Sequence, residues 1–172
     1  MIRAVFTISF AVLILAGCLD EVDVQPDAAN GQTLCLADYQ MCVDPIFHAG
    51  INGSSGNSVT CSASGCHDVN SGSGGGFKIF PNPGADDIKI LANFTSAKAF
   101  ANLSTSSRSK LLLEPLNGIS AISGTHTGGD IFPNQSDVCY QAILNWISTR
   151  VDDSNAESCG RCTVPTISAC GF

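Results

Sequence analysis

The residues with the most distinctive chemistry lie near the middle of the chain, where four residues separate Cys61 from Cys66 and His67 follows at once. Two thiols can each add to a vinyl group of a porphyrin, and an adjacent imidazole can then bind the iron. The common form of this pattern has two residues between the cysteines. Here the four intervening residues are small, as a tight loop over a porphyrin edge requires. The segment predicts one covalently attached haem c, held by Cys61, Cys66 and His67. The alternative is a disulfide loop beside an uninvolved histidine.

An electron-carrying haem iron usually has two protein ligands, whereas an iron with one is reactive. Apart from Met1 and His67, the chain offers Met41, His48 and His126 as soft or imidazole ligands. His126 lies in a glycine-rich loop, and glycine lets the backbone approach a flat cofactor closely. We therefore predict His126 as the second iron ligand. His48 is expected at a solvent-facing helix position.

Six further cysteines predict three disulfides with open connectivity, namely Cys35, Cys42, Cys139, Cys159, Cys162 and Cys170. Cys159 and Cys162 have the spacing of a redox-active pair, but no strand-helix-strand pattern surrounds them, which favours structural disulfides. A zinc site that combines these two cysteines with the residue 61–67 segment is chemically possible. An oxidising compartment disfavours it.

The start of the chain predicts export. Arg3 is followed by an uncharged apolar run over residues 4–17, which is too short to span a bilayer and is typical of a secretory signal. The sequence Leu-Ala-Gly-Cys at residues 15–18 resembles the bacterial lipoprotein signal, which implies lipidation of Cys18. By the same resemblance, Leu19 favours the outer membrane. The alternative is an ordinary signal peptide that happens to contain Cys18.

Four segments are expected along the chain: a signal peptide (1–17), an acidic tether (18–34), a haem domain (35–150) and a cysteine-rich tail (151–172). Apolar spacings of three and four predict helices in the domain at residues 36–51, 85–92, 97–103, 107–113 and 137–150. Pro45 is expected to break or restart the first of these helices, and Thr95 or Ser96 to cap the third. The fold class predicted is mostly α, a small helical domain with long loops stapled by disulfides.

The charge and the motif content of the chain argue against two classes of function. With 8 Lys+Arg against 15 Asp+Glu, the net charge is −7, and no basic stripe is present. Nucleic acid is therefore not expected as a partner. No Gly-x-Ser-x-Gly pattern precedes a predicted helix, so the chain is not expected to be an enzyme.

The ordered set of sequence blocks resembles one family. These blocks are residues 42–47, 61–67, 77–79, 109–116, 126–132 and 140–147. Together they are similar to predicted monohaem cytochrome c lipoproteins of Gram-negative bacteria. The resemblance implies a cytochrome c-like helical domain, with His67 as proximal and His126 as distal iron ligand.

We expect a lipid-anchored carrier that transfers single electrons between redox partner proteins of the cell envelope, with its acidic surface selecting a basic face on them. A different class of function remains open: a haem-free, disulfide-rich lipoprotein that serves adhesion, assembly or binding. A haem enzyme or gas sensor would need an open position on the iron.

Overall fold

Short helices separated by long loops make up the chain. The computed structural model describes residues 31–84, 86–119, 126 and 128–172. The predicted signal peptide, Cys18 and most of the predicted tether lie outside these residues. The helices are α1 (Leu36–Asp38), α2 (Asp44–His48), α3 (Asp87–Ala99), α4 (Lys110–Leu113) and α5 (Val138–Ser148).

The strands have two residues each and form two antiparallel pairs. β1 (Thr33–Leu34) pairs with β4 (Arg150–Val151), and β2 (Ile51–Asn52) pairs with β3 (Ser58–Val59). The last residues of the predicted tether thus form a strand against the chain that follows α5. In the described ranges, no helix has both the length and the apolar character needed to cross a membrane.

The first helical region is irregular, as the sequence predicts. A π-helical segment, Tyr39–Val43, joins α1 to α2. Pro45 lies in the first turn of α2, where its missing N–H is not needed for a helical hydrogen bond. The prediction that Pro45 breaks or restarts the first helix is therefore confirmed, since α2 begins beside it. Helix α2 ends at His48, before the predicted end at residue 51, and Ile51 belongs to β2.

The two short helices predicted around residues 85–103 are one helix, α3. Asp86 caps its start by accepting hydrogen bonds from the Ile88 and Lys89 N–H groups. Thr95 and Ser96 lie inside α3 and do not cap a second helix. Their hydroxyl groups are satisfied without ending it, since Thr95 Oγ1 donates to the Leu91 carbonyl (2.8 Å) and Ser96 Oγ accepts from the Lys78 N–H (3.0 Å).

Helix α5 confirms the helix predicted at residues 137–150, with Asp137 as its N-cap. One face packs into the core through Cys139, Ile143, Trp146 and Ile147, whereas Val138 is exposed. Trp146 Nε1 donates to the Cys35 carbonyl (3.0 Å). This hydrogen bond ties α5 to the start of α1.

All six cysteines outside residues 61–67 that the structure describes form disulfides, which confirms the predicted number. The pairs are Cys35–Cys159, Cys42–Cys162 and Cys139–Cys170. The buried Asp38 side chain adds to this attachment, because its Oδ1 accepts from the Arg161 N–H (2.7 Å) and the Cys162 N–H (2.9 Å). The tail is therefore fixed to the helices and is part of the same structural unit.

Candidate functional site

A cavity of about 520 Å³ lies where the residue 61–67 loop, the start of α4, residue 126 and residues 128–132 meet. We call it the histidine cavity, because His67 and His126 both line it. Its walls are mainly apolar and include Phe47, Phe77, Phe100, Leu111, Ile131 and Phe132. This volume lies in the range of small-molecule and cofactor sites.

The residue 61–67 segment, here called the thiol loop, is closed by its own backbone. The Cys66 N–H donates to the Ala63 carbonyl (3.0 Å), and the His67 N–H donates to the Cys61 carbonyl (2.9 Å). Gly65 has a φ of +87°, which favours glycine at this position. The four-residue spacer therefore folds into a turn that brings His67 next to Cys61. Cys61 and Cys66 have free thiols and both line the cavity.

Backbone contacts on several sides hold His67. Its Nδ1 lies 2.9 Å from the Phe77 carbonyl oxygen, and its own carbonyl accepts from the Ile79 N–H (2.8 Å). A Cβ on Gly74 would lie 2.6 Å from the imidazole, so only glycine fits there. Since a carbonyl can only accept, Nδ1 must carry the proton and Nε2 the free lone pair. This is the tautomer that metal-binding histidines adopt when a carbonyl orients them.

The charge state of His67 also suits a metal ligand. Burial lowers the pKa of His67 below its ordinary value, and the nearby His126 and Lys78 act in the same direction. The hydrogen bond to the Phe77 carbonyl opposes this effect. The imidazole is therefore held neutral, and only the neutral form can bind a metal ion.

His126 is oriented in the same way. Its Nδ1 lies 3.1 Å from the Gly129 carbonyl oxygen, and the Gly129 N–H donates back to the His126 carbonyl (2.8 Å). The His67 and His126 ring centres are 6.0 Å apart, with an angle of 11° between the ring planes. Two nearly parallel imidazoles, each with its Nδ1 on a backbone carbonyl, thus line one apolar cavity.

The donor set fits a haem iron between the two imidazoles. With metal–nitrogen bonds of about 2 Å, imidazoles on opposite sides of one metal ion have ring centres about 6 Å apart. The observed 6.0 Å matches this separation. Cys61 and Cys66 provide thiols in the cavity wall, as covalent porphyrin attachment requires.

A compact zinc-type site fits less well. Three metal-binding side chains with ligand atoms within 4.8 Å of one another occur once among the described residues, at Asp137, Cys139 and Cys170. The two cysteines of this group are joined in a disulfide. The thiols and imidazoles of the histidine cavity are therefore too dispersed for a tetrahedral ion, whose ligand atoms must lie closer together.

The other candidate ligands lie elsewhere. Met41 is exposed, and neither it nor His48 lines the cavity. His48 is not solvent-facing as predicted: its side chain is 12% exposed, its Nδ1 lies 2.8 Å from Ser62 Oγ and its Nε2 lies 3.1 Å from Asp44 Oδ2. Nδ1 is thus within hydrogen-bond distance of Ser62, whereas Nε2 lies close to Asp44 in a geometry that makes no hydrogen bond.

The contacts of His48 form a serine-histidine-carboxylate chain that sequence reasoning missed. Asp44 and His48 lie on α2, whereas Ser62 lies in the thiol loop. No hydrolase sequence pattern contains these three residues. Ser62 is buried and is absent from the cavity lining. The contact between His48 and Ser62 links α2 to the thiol loop.

Gly74 and the Phe77 and Gly129 carbonyls are further residues that sequence reasoning did not assign to the site. The only sequence signal for them is the glycine-rich composition on either side of the histidines.

Comparison of the chain with protein-family models, with curated proteins and with solved structures finds no match.

Proposed function

We propose that the protein is a c-type cytochrome with one haem bound in the histidine cavity. The observation that carries the proposal is the pairing of His67 and His126, whose Nδ1 atoms lie on backbone carbonyls in a mainly apolar cavity that also contains two free thiols. A haem bound there supplies a one-electron iron couple.

In this proposal, the chain's own residues divide the work of holding the cofactor. Cys61 and Cys66 each add an S–H bond across one vinyl double bond, so that sulfur bonds to one carbon and hydrogen to the other, without net oxidation. His67 and His126 would be the residues that hold the iron. Phe77 and the other apolar side chains exclude water from the cavity, which affects the potential of the iron.

Two imidazole ligands leave no open position on the iron, which supports an electron carrier over a haem enzyme or gas sensor. The proposed domain is cytochrome c-like, and three disulfides are typical of an exported protein. We further propose that Cys18 carries a lipid anchor, that the protein lies at the outer membrane facing the periplasm, and that its acidic surface selects basic redox partners.

Expression together with a haem-maturation system tests the proposal. The expected product has a Soret band of a low-spin haem, haem staining that survives a denaturing gel, and an intact mass increased by one haem. A Cys61→Ala, Cys66→Ala variant is the matched control and should lose the covalent haem while keeping the three disulfides. A product whose two free cysteines are joined to each other, with no added mass, would instead indicate a haem-free, disulfide-rich lipoprotein.

A further inference from the structure

The charged side chains of the histidine cavity are unevenly distributed. Apart from the two imidazoles, the described lining includes two residues that carry charge, Lys110 and Glu114. Lys110 is the first residue of α4 and is exposed, whereas Glu114 follows the last turn of α4 and is half-buried. A cation thus lies at the solvent side of the cavity and a carboxyl group lies deeper.

From this arrangement we propose that Lys110 binds a propionate carboxylate of the porphyrin and thereby sets the orientation of the haem in the cavity. The inference rests on the proposed function. A haem carries two carboxylates, and burying an ionised carboxylate among apolar side chains without a partner is very costly. The carboxylates must therefore reach the solvent side of the cavity, where Lys110 provides the matching charge.

Lys110 is the lysine that the described lining offers to a propionate. The rest of the described lining is mainly apolar and has no other lysine or arginine. The propionates are therefore favoured at the Lys110 end.

The attachment chemistry lies on a different part of the wall. Helix α4 contacts Phe100 through the Leu111 N–H (3.4 Å), and the Pro115 carbonyl accepts from the Ile131 N–H (2.8 Å). The thiol loop instead bonds to α2, through the Ser62 N–H and the Phe47 carbonyl (3.0 Å). Among the described residues, no hydrogen bond joins α4 to the thiol loop. Separate wall segments thus hold the vinyl-derived and the propionate-bearing edges of the porphyrin.

Non-covalent binding of a modified porphyrin isolates the contribution of Lys110. Iron mesoporphyrin has ethyl groups in place of vinyl groups, so it cannot form thioethers with Cys61 or Cys66 but keeps both propionates. Its dimethyl ester lacks the negative charges. The cofactor-free chain, with its disulfides intact and its two free thiols reduced, is titrated with each porphyrin and binding is followed by the Soret band.

We expect Lys110→Gln to weaken binding of iron mesoporphyrin about fivefold and to leave binding of the dimethyl ester unchanged. Lys110→Arg should restore most of the loss, and added salt should shrink it. Lys89→Gln is the matched control, because Lys89 is partly exposed on α3, pairs with Asp86 and does not line the cavity.

The outcomes separate this inference from the proposed function. An unmodified chain that binds neither porphyrin would overturn both. Suppose instead that the unmodified chain binds iron mesoporphyrin with a low-spin spectrum. If Lys110→Gln then binds both porphyrins as well as the unmodified chain does, or weakens the binding of both by the same factor, the haem site is supported and the role of Lys110 is refuted. A far-UV circular dichroism spectrum of Lys110→Gln that matches the unmodified chain confirms that the comparison reports on binding.

Discussion

His67 and His126 lie in the histidine cavity with ring centres 6.0 Å apart and ring planes within 11° of parallel. In the sequence, 58 residues lie between them. Each Nδ1 is held by a backbone carbonyl, from Phe77 and Gly129 respectively. Backbone carbonyls therefore orient both imidazoles. In the proposed cytochrome, these contacts would position both rings towards the iron.

The first prediction concerns His126. In the haem-loaded protein, His126→Ala should keep the covalent haem but convert the iron from a low-spin to a high-spin or water-ligated state, because one imidazole is lost while Cys61, Cys66 and His67 remain. Visible and electron paramagnetic resonance spectra measure the change, and added imidazole should reverse it. His48→Ala is the control and should stay low-spin, since His48 does not line the cavity. An unchanged low-spin spectrum for His126→Ala would exclude His126 as a ligand.

The second prediction compares two glycines beside the two imidazoles. A Cβ at Gly74 would lie 2.6 Å from the His67 ring, whereas one at Gly128 would lie 3.6 Å from the His126 ring, an ordinary contact. Gly74→Ala should therefore displace His67 and lower the free energy of unfolding by about 1–3 kcal/mol, as overpacking does. Gly128→Ala should change it by less than about 0.5 kcal/mol.

Chemical denaturation of the cofactor-free protein measures both variants of this glycine pair. Haem loading provides a second readout, since displacement of His67 should reduce the yield of low-spin haem in Gly74→Ala. Equal stability and equal haem yield in the two variants would contradict the close packing of Gly74 on the imidazole.

Local chemistry was predictable from the sequence, but tertiary contacts were not. The six disulfide cysteines were predictable from residue type and number alone, whereas the attachment chemistry of the thiol loop stays a prediction. The disulfide pairs were not predictable, since Cys35 and Cys159 are 124 positions apart and their contact depends on how α1 and the tail pack. The role of His67 and His126 in iron binding stays a prediction.

His48 and α3 show why the remaining errors arose. His48 was expected in solvent because helical spacing alone does not reveal Ser62, which approaches it from 14 positions further along the chain. In α3, Thr95 and Ser96 have the residue type of helix caps, but their hydroxyl groups bond to Leu91 and Lys78 instead. In both cases a tertiary or intrahelical hydrogen bond overrides the local preference.

The third prediction concerns the reactivity of Cys61 in the cofactor-free protein. Burial, with a smaller contribution from Cys66, raises the pKa of the Cys61 thiol to about 12. An ordinary thiol has a pKa of about 8.5, so at pH 8 the native Cys61 should be alkylated roughly 50-fold more slowly than in the unfolded chain. Its rate should still rise at pH 10, where the rate in the unfolded chain has levelled off.

The sign of this shift also affects stability. The folded state holds the proton more tightly than the unfolded state, so stability should fall as the pH rises above the pKa of the unfolded thiol. Iodoacetamide labelling of a Cys18→Ser chain, with and without denaturant and followed by peptide mass spectrometry, measures the rates at Cys61. A native rate that levels off near pH 9 would refute the raised pKa.

The last prediction concerns Asn93, a fully buried residue of α3 that connects the core to the segment that holds His67. Its Oδ1 accepts from the Phe80 N–H (2.7 Å), and its Nδ2 donates to the Phe80 carbonyl (3.2 Å) and to Asp44 Oδ1 (3.1 Å). Asn93→Ala leaves these buried groups without their partner and should lower the free energy of unfolding by about 3 kcal/mol.

Thr95→Ala is the matched control for Asn93→Ala, because Thr95 is exposed on the same helix and its loss should cost less than about 0.5 kcal/mol. The effect on the site follows from chain connectivity: Phe80 is three residues from Phe77, whose carbonyl orients His67. Asn93→Ala should therefore also reduce low-spin haem yield, whereas Thr95→Ala should not. If Asn93→Ala unfolds with the same midpoint and slope in urea as the unmodified chain, the proposed connection between α3 and the His67 segment is wrong.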